Sequence, residues 1–316
     1  MPEPIIIHFL GTGGTIPLRN RRLPCIVIQY KDKLLILDIG ECCQNVLLIK
    51  KFHPIKSKII ILISHLHADH TTGLPGFLTS LKLLGRKDPV MIIGPPGVSN
   101  FIYHIEQAFQ LLETPFKIIV REAHVISDYS LVTIYEEKDI EILGFKTYHT
   151  DYISSIGFII SETQPHKTLN IKRLTKEIGE SERNLGKLTA NKVEKFLVTI
   201  RPPRIIIYTG DSRPVKYLSG LIRTPPDLLI HDATFIGEIH HDEAVSTGHS
   251  TIEEAVKDAL LLNARNVALV HLSPRYEQND VLRALINSLK SIIMKEKNLS
   301  LPTIIIPQDD DYVIIR

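Results

Sequence analysis

Cysteine is scarce, long apolar runs are missing, and charge of neither sign dominates. The longest purely aliphatic stretch, Ile59 to Ile63, is far short of the roughly 20 residues that a membrane-crossing helix needs. Glu3 precedes the apolar Ile5 to Ile7, and neither a basic leader nor a small-residue cleavage site is present, so a secretory signal is not expected and a cytoplasmic location is. The three cysteines, Cys25, Cys42 and Cys43, cannot all pair, and the adjacent two would strain as a bridge. That excludes a disulfide framework and predicts reduced, mostly buried thiols. A net charge of +2 makes no case for a nucleic-acid partner, although a local basic patch can exist on a nearly neutral protein. Internal repeats and low-complexity tracts are also lacking.

What is there is an ordinary globular composition, 44% hydrophobic and 23% charged over 316 residues, with room for one large domain or two fused halves. Histidine stands out: 14 of them invite a search for metal-ligand spacing.

Short β-branched runs separated by turns open the chain, at Ile5 to Leu10, Cys25 to Tyr30 and Lys33 to Asp38. Lys58 to Ser64 is another such run, and it stops directly at His65. Helical spacing follows between Gly73 and Gly85 and from Val98 to Leu112. Strands are then predicted at Lys117 to Val120, Leu131 to Tyr135, Ile140 to Tyr148, Ile156 to Ser161 and Arg204 to Thr209. Gln164 to Lys195 is polar, with helical stretches and no clear core face, and reads as a projecting insertion. The last third alternates again: a strand at Leu228 to His231, a helix from Thr251 to Leu262 capped by Ser250, a strand at Val267 to Val270, a helix at Gln278 to Lys295 and a closing strand at Thr303 to Ile306. Strands and helices mixed in both halves predict two packed sheets with helices outside.

The decisive segment is Ser64-His65-Leu66-His67-Ala68-Asp69-His70, with His65, His67, Asp69 and His70 gathered at a strand end. Imidazole nitrogen and carboxylate oxygen form a donor set that Zn²⁺ accepts, and in a turn they can face two neighbouring metal positions. A solvated turn has no structural need of three imidazoles after so dry a strand. Two metal shells require more donors, and three candidates also follow strands: His149, Asp211 in the turn Thr209-Gly210-Asp211-Ser212-Arg213, and His271. The Gly11-Thr12-Gly13-Gly14 turn lacks the Lys-Ser/Thr ending of a phosphate loop and is read as a tight turn beside this site.

The HxHxDH motif followed by a distant His, then Asp, then His resembles the metallo-β-lactamase superfamily. That resemblance implies an α/β fold, the αββα sandwich of two mixed β-sheets flanked by helices, spanning residues 1–316 with an inserted arm at about 162–200. It also implies two Zn²⁺ per subunit: His65, His67 and His149 on the first, Asp69, His70 and His271 on the second, Asp211 bridging, and a hydroxide between them as nucleophile.

Within the superfamily, further segments resemble the ribonuclease Z family of tRNA 3′-end processing endonucleases. They are Leu10-Gly11-Thr12-Gly13-Gly14 with Pro17 to Arg21, Asp38-Ile39-Gly40-Glu41-Cys42-Cys43-Gln44, His231-Asp232-Ala233-Thr234-Phe235, Gly248-His249-Ser250-Thr251 and His271-Leu272-Ser273-Pro274-Arg275-Tyr276. The implied substrate is precursor tRNA and the implied assembly a homodimer, with no membrane partner. Asp69, His249 and Asp232 become catalytic candidates, His249 as proton donor to the leaving 3′ oxygen. Arg19, Arg21, Ser250, Thr251 and Arg275 become candidate RNA contacts.

Two departures stand out. Asp232 occupies the place where the family has Glu, so its pairing with His249 must be made by a shorter side chain. The insertion sits where the bacterial-type family carries a tRNA-gripping arm, and it holds Lys167, Lys172, Arg173, Lys176, Arg183, Lys187, Lys192 and Lys195, but no Gly-Pro tip. A basic arm would neutralise backbone phosphates. Superfamily hydrolases of small molecules, such as a phosphodiesterase, an arylsulfatase or a lactonase, share the same ligands, so the metals alone leave that alternative open.

Overall fold

In the computed structural model, residues 3–18, 20–41, 43, 44, 47, 52–127, 129–170, 172, 176, 197–295 and 300–316 are described. Arg19, Cys42 and most of the insertion, including Arg173, Arg183, Lys187, Lys192 and Lys195, lie outside them.

Two seven-stranded sheets face each other. The first is built from β1 (Ile5–Gly11), β2 (Cys25–Tyr30), β3 (Lys33–Leu37), β4 (Lys58–Leu62), β5 (Val90–Gly94), β6 (Ile118–Glu122) and, from the far end of the chain, β16 (Tyr312–Ile315), in the order β16-β1-β2-β3-β4-β5-β6. The second holds β7 (Val132–Glu136), β8 (Glu141–Lys146), β9 (Ile156–Ser161), β12 (Ile205–Tyr208), β13 (Leu228–Asp232), β14 (Asn266–Val270) and β15 (Thr303–Ile305), in the order β15-β14-β13-β12-β9-β8-β7. Both sheets are mixed. The remaining pair, β10 (His166–Leu169) and β11 (Leu197–Arg201), is antiparallel and forms the root of the insertion, while the helical stretches expected between Gln164 and Lys195 fall mostly outside the described residues.

Continuous apolar strands are what a sheet covered on both faces requires. In β4, Ile60 and Leu62 enter the core between the sheets, while Ile59 and Ile61 join the core beneath the outer helices, as period-two alternation dictates. Those helices are α2 (Leu74–Leu83) and α3 (Val98–Phe109), preceded by the single-turn α1 (Ala68–Thr71). On the opposite side α5 (Ile252–Leu261) and α6 (Gln278–Lys295) cover the second sheet, and α4 (Gly237–Thr247) precedes them. The result is the αββα sandwich. No helix among the described residues is long and apolar enough to cross a membrane.

Several boundaries differ from expectation. Strands β5 and β16 and helix α4 were not anticipated. The cap of α5 is Thr251, not Ser250: the Thr251 hydroxyl accepts from Glu254 N at 3.2 Å, and Thr251 N donates to Glu254 Oε2 at 3.0 Å, a reciprocal capping box. Cys25 and Cys43 are free and buried, as the scarcity of cysteine implied.

Candidate metal centre and cleft

The site lies where strands of both sheets end. His65, His67, Asp69 and His70 follow β4, His149 follows β8, Asp211 follows β12, Asp232 ends β13 and His271 follows β14. The two sheets are stitched together here, since Ile156 N donates to Ser64 O at 3.0 Å and His271 N to Thr12 O at 3.0 Å.

Three imidazoles converge first. His67 Nδ1 is 2.8 Å from His65 Nε2 and 3.1 Å from His149 Nε2. The opposite nitrogens of the outer two are engaged, His65 Nδ1 with Ser64 Oγ at 3.0 Å and His149 Nδ1 with Gly248 O at 3.1 Å. Donating Nδ1–H outward fixes the tautomer that turns the Nε2 lone pair inward. Burial pushes His65, His67 and His149 down toward the neutral form, the form that ligates a cation.

Beside them sit Asp69, His70, Asp211 and His271, whose donor atoms all lie within 4.8 Å of one another. Asp211 Oδ2 stands between the two groups, 3.9 Å from His65 Nε2 and 3.2 Å from both His70 Nε2 and His271 Nε2. Asp69 Oδ2 is 3.6 Å from His271 Nε2 and accepts from Thr15 N at 2.9 Å. Among the described residues, His70 Nε2 and His271 Nε2 are buried with no hydrogen-bond partner. Buried polar atoms are rarely left so, and two orphaned nitrogens aimed at a shared carboxylate fit a pair of divalent cations.

Residues not anticipated hold these donors in place. Asp38, fully buried at φ 53°, accepts His70 Nδ1–H at 2.7 Å, Ser64 N and Oγ at 2.7 Å each, and Tyr208 OH at 2.6 Å. Thr234 Oγ1 lies 2.9 Å from His271 Nδ1 and donates to Asp232 Oδ1 at 2.7 Å. Both residues stand inside the family-like segments quoted above, which was the available signal.

The shorter Asp232 does reach its partner. Its Oδ2 is 2.8 Å from His249 Nδ1 and also accepts Ser212 N at 2.9 Å, while Oδ1 takes Thr234 N at 2.9 Å. Burial pulls the His249 imidazole down, but the Asp232 carboxylate, helped by Asp211, outweighs it and holds the group at about 9. His249 rides on a left-handed Gly248 at φ 74°, where an added Cβ would meet His149 O at 1.4 Å. Only glycine permits that approach.

These groups open into a cleft of about 1080 Å³, lined among others by His67, Asp69, His149, Asp211, His249 and Arg275. The remaining expected contacts do not all reach it. Ser250 is fully buried and its Oγ donates to Ser212 O at 2.6 Å, while Thr251 is committed to its cap, so neither hydroxyl is available to RNA. Arg21 is turned away as well: its Nη1 donates to Thr12 Oγ1 at 2.7 Å and Pro307 O at 3.1 Å, and it borders a separate cavity of about 340 Å³. Arg19 lies outside the described residues.

Fold and donors together define a metal-dependent hydrolase of the metallo-β-lactamase fold. The fold is shared with a metallo-β-lactamase fold protein from Bacillus subtilis, at TM-score 0.64 and 19% identity, covering 99% of this chain and 100% of that one. It is shared too with the short form of human tRNase Z, at TM-score 0.69 and 23% identity over 98% of each chain. Residues 5–170 match the family model described as anti-Pycsar protein Apyc1. A protein of Saccharolobus islandicus named ribonuclease Z is 33% identical over 99% of this chain and 100% of its own length. The chain belongs to the ribonuclease Z family.

Proposed function

We propose that the chain is a zinc-dependent endoribonuclease that removes 3′ trailers from precursor tRNA in the cytoplasm, leaving a 3′-hydroxyl on the tRNA and a 5′-phosphate on the trailer. The observation that carries this reading is the placement of the Asp232–His249 pair beside two adjacent donor groups, His65, His67 and His149 in one and Asp69, His70, Asp211 and His271 in the other. His65, His67 and His149 would hold one cation and Asp69, His70 and His271 the other, with Asp211 common to both. Bound there, the cations supply Lewis acidity and an activated water at neutral pH.

The chain's own residues do the rest. With Nδ1 on Asp232, His249 has its Nε2 left for the cleft, and the Asp232 carboxylate favours its protonated form. It can therefore give a proton to the departing 3′ oxygen, while Asp232 stabilises the cationic ring beforehand and fixes its orientation. Arg275, on the cleft wall, would be the cation that meets a phosphate of the RNA.

The arm of about 162–200 supports a homodimer. It springs from the Ser161 end of β9 and the Ile205 end of β12, whereas the site lies at the opposite end of those strands, beyond Ile156 and Tyr208. An arm rooted so far from its own cleft suits service to a partner subunit's substrate. The zinc-loaded protein incubated with a 3′-extended tRNA transcript should give one main cut near the acceptor end, with the stated ends. No cut, alongside brisk turnover of bis(p-nitrophenyl) phosphate or lactones, would favour a small-molecule hydrolase instead.

A further inference from the structure

Arg275 is held on every side. Its Nε donates to Ser273 Oγ at 3.1 Å, its guanidinium lies over the Phe235 ring at 5.3 Å, and Glu243 takes Nη1 and Nη2 end-on, each at 2.8 Å. Glu243 comes from α4 and lines the same cleft. The two side chains are 44% and 39% exposed, so the pair sits on the rim rather than in the core.

A carboxylate on the rim of a cleft that receives phosphodiesters is costly for binding: it repels the ligand and occupies the fork that would grip it. A phosphodiester offers two non-bridging oxygens with a spacing close to that of a carboxylate, so the two compete for the same pair of N–H groups. The contacts to Ser273 and Phe235 are independent of Glu243. They keep the guanidinium in place when Glu243 swings out. We propose that Glu243 is a specificity-determining latch, which occupies Arg275 until a backbone phosphate other than the one at the metal centre displaces it. The inference deepens the RNA reading above and rests on it. A polyanion held in the cleft by its other phosphates opens the latch, whereas a small diester held only at the metal centre leaves it closed.

Steady-state kinetics of the zinc-loaded wild type, Glu243→Gln, Arg275→Ala and the double variant test this on a 3′-extended tRNA and on bis(p-nitrophenyl) phosphate. Because an exposed ion pair is weak, Glu243→Gln should lower the KM for the RNA by about two- to fivefold. The fall should exceed any change with the small diester. Arg275→Ala should raise the RNA KM and cancel the gain in the double variant, since the latch then has nothing to hold. Glu243→Ala serves as a second variant, and thermal melting with metal content verifies that each protein is intact. An RNA KM that stays constant or rises in both Glu243 variants, or a gain that survives in the Arg275→Ala background, overturns the latch while the cleavage reading stands. Wild-type protein that turns over the diester but leaves the RNA uncut overturns both.

Discussion

His249 and Asp38 show how differently a single side chain can serve this site. His249 lines the cleft, and its ring is held by the Asp232 carboxylate at its back. If it acts as the proposed proton donor, replacing it by Ala should lower kcat on 3′-extended tRNA by about 10²- to 10⁴-fold with metal content equal to wild type. Loss of bound metal in that variant would reassign His249 as a ligand. Asp38 never reaches the cleft, yet it orients His70 through Oδ2. Asp38→Asn should weaken the second metal about 10- to 100-fold in a zinc titration, in keeping with what outer hydrogen-bond partners of metal ligands contribute. The seven donors were legible in the sequence because each follows an apolar run that ends as a strand. Asp38 and Thr234 were not assigned roles, since what they do depends on which atoms the two sheets bring against them.

Among elements, the loops after β4, β8, β12 and β14 carry the candidate metal donors, and short caps and turns fix where those loops begin. Ser250 and Thr251 illustrate the limit of local rules. Either hydroxyl satisfies the sequence preference for a helix cap, and the choice is settled by Ser212 O, far along the chain, which claims the Ser250 hydroxyl. Thr251→Ala should therefore cost about 1 kcal/mol in urea unfolding, within the usual range for a lost cap, whereas equal stability would deny the capping box any weight. Strand β5 is a short apolar run closed in by Pro89 and Pro95, a local strand signal that was passed over, and β16 is only four residues long and pairs with the other end of the chain. The root of the arm is an antiparallel pair whose pairing spans residues 166–201 and leaves no periodic trace. Deleting Thr168 to Lys192 should weaken cleavage of precursor tRNA much more than hydrolysis of bis(p-nitrophenyl) phosphate. Equal losses would remove the arm from substrate binding.

For the molecule as a whole, one buried clamp joins the arm to both sheets. Arg204 donates to Glu162, to Ile315 O at 2.8 Å and to Glu3 O at 2.7 Å, and Tyr30 OH donates to Glu162 at 3.1 Å. Burial raises the Glu162 carboxyl, but hydrogen bonds from the Arg204 side chain and backbone and from His166 prevail and bring it from 4.5 to about 2. A carboxylate depressed in the folded state adds stability above its unfolded value, and that stability is lost as pH falls through the folded one. Between pH 4.5 and 2 the wild type should thus lose on the order of 3 kcal/mol from this group. Glu162→Gln should lack that share of the acid loss and be less stable at pH 7, where Arg204 is left buried without its counter-charge. Urea unfolding at several pH values measures both.

Asp211 reaches toward both sets of donors, 3.9 Å from His65 Nε2 and 3.2 Å from both His70 Nε2 and His271 Nε2. Zinc titration into metal-free wild type and Asp211→Ala, read by calorimetry and elemental analysis, is the direct test. The wild type should take up about two ions per chain, and Asp211→Ala should lose at least one of them together with diester hydrolysis. A wild-type chain that binds fewer than two, or an Asp211→Ala chain that holds two as tightly as before, would contradict the shared two-metal centre.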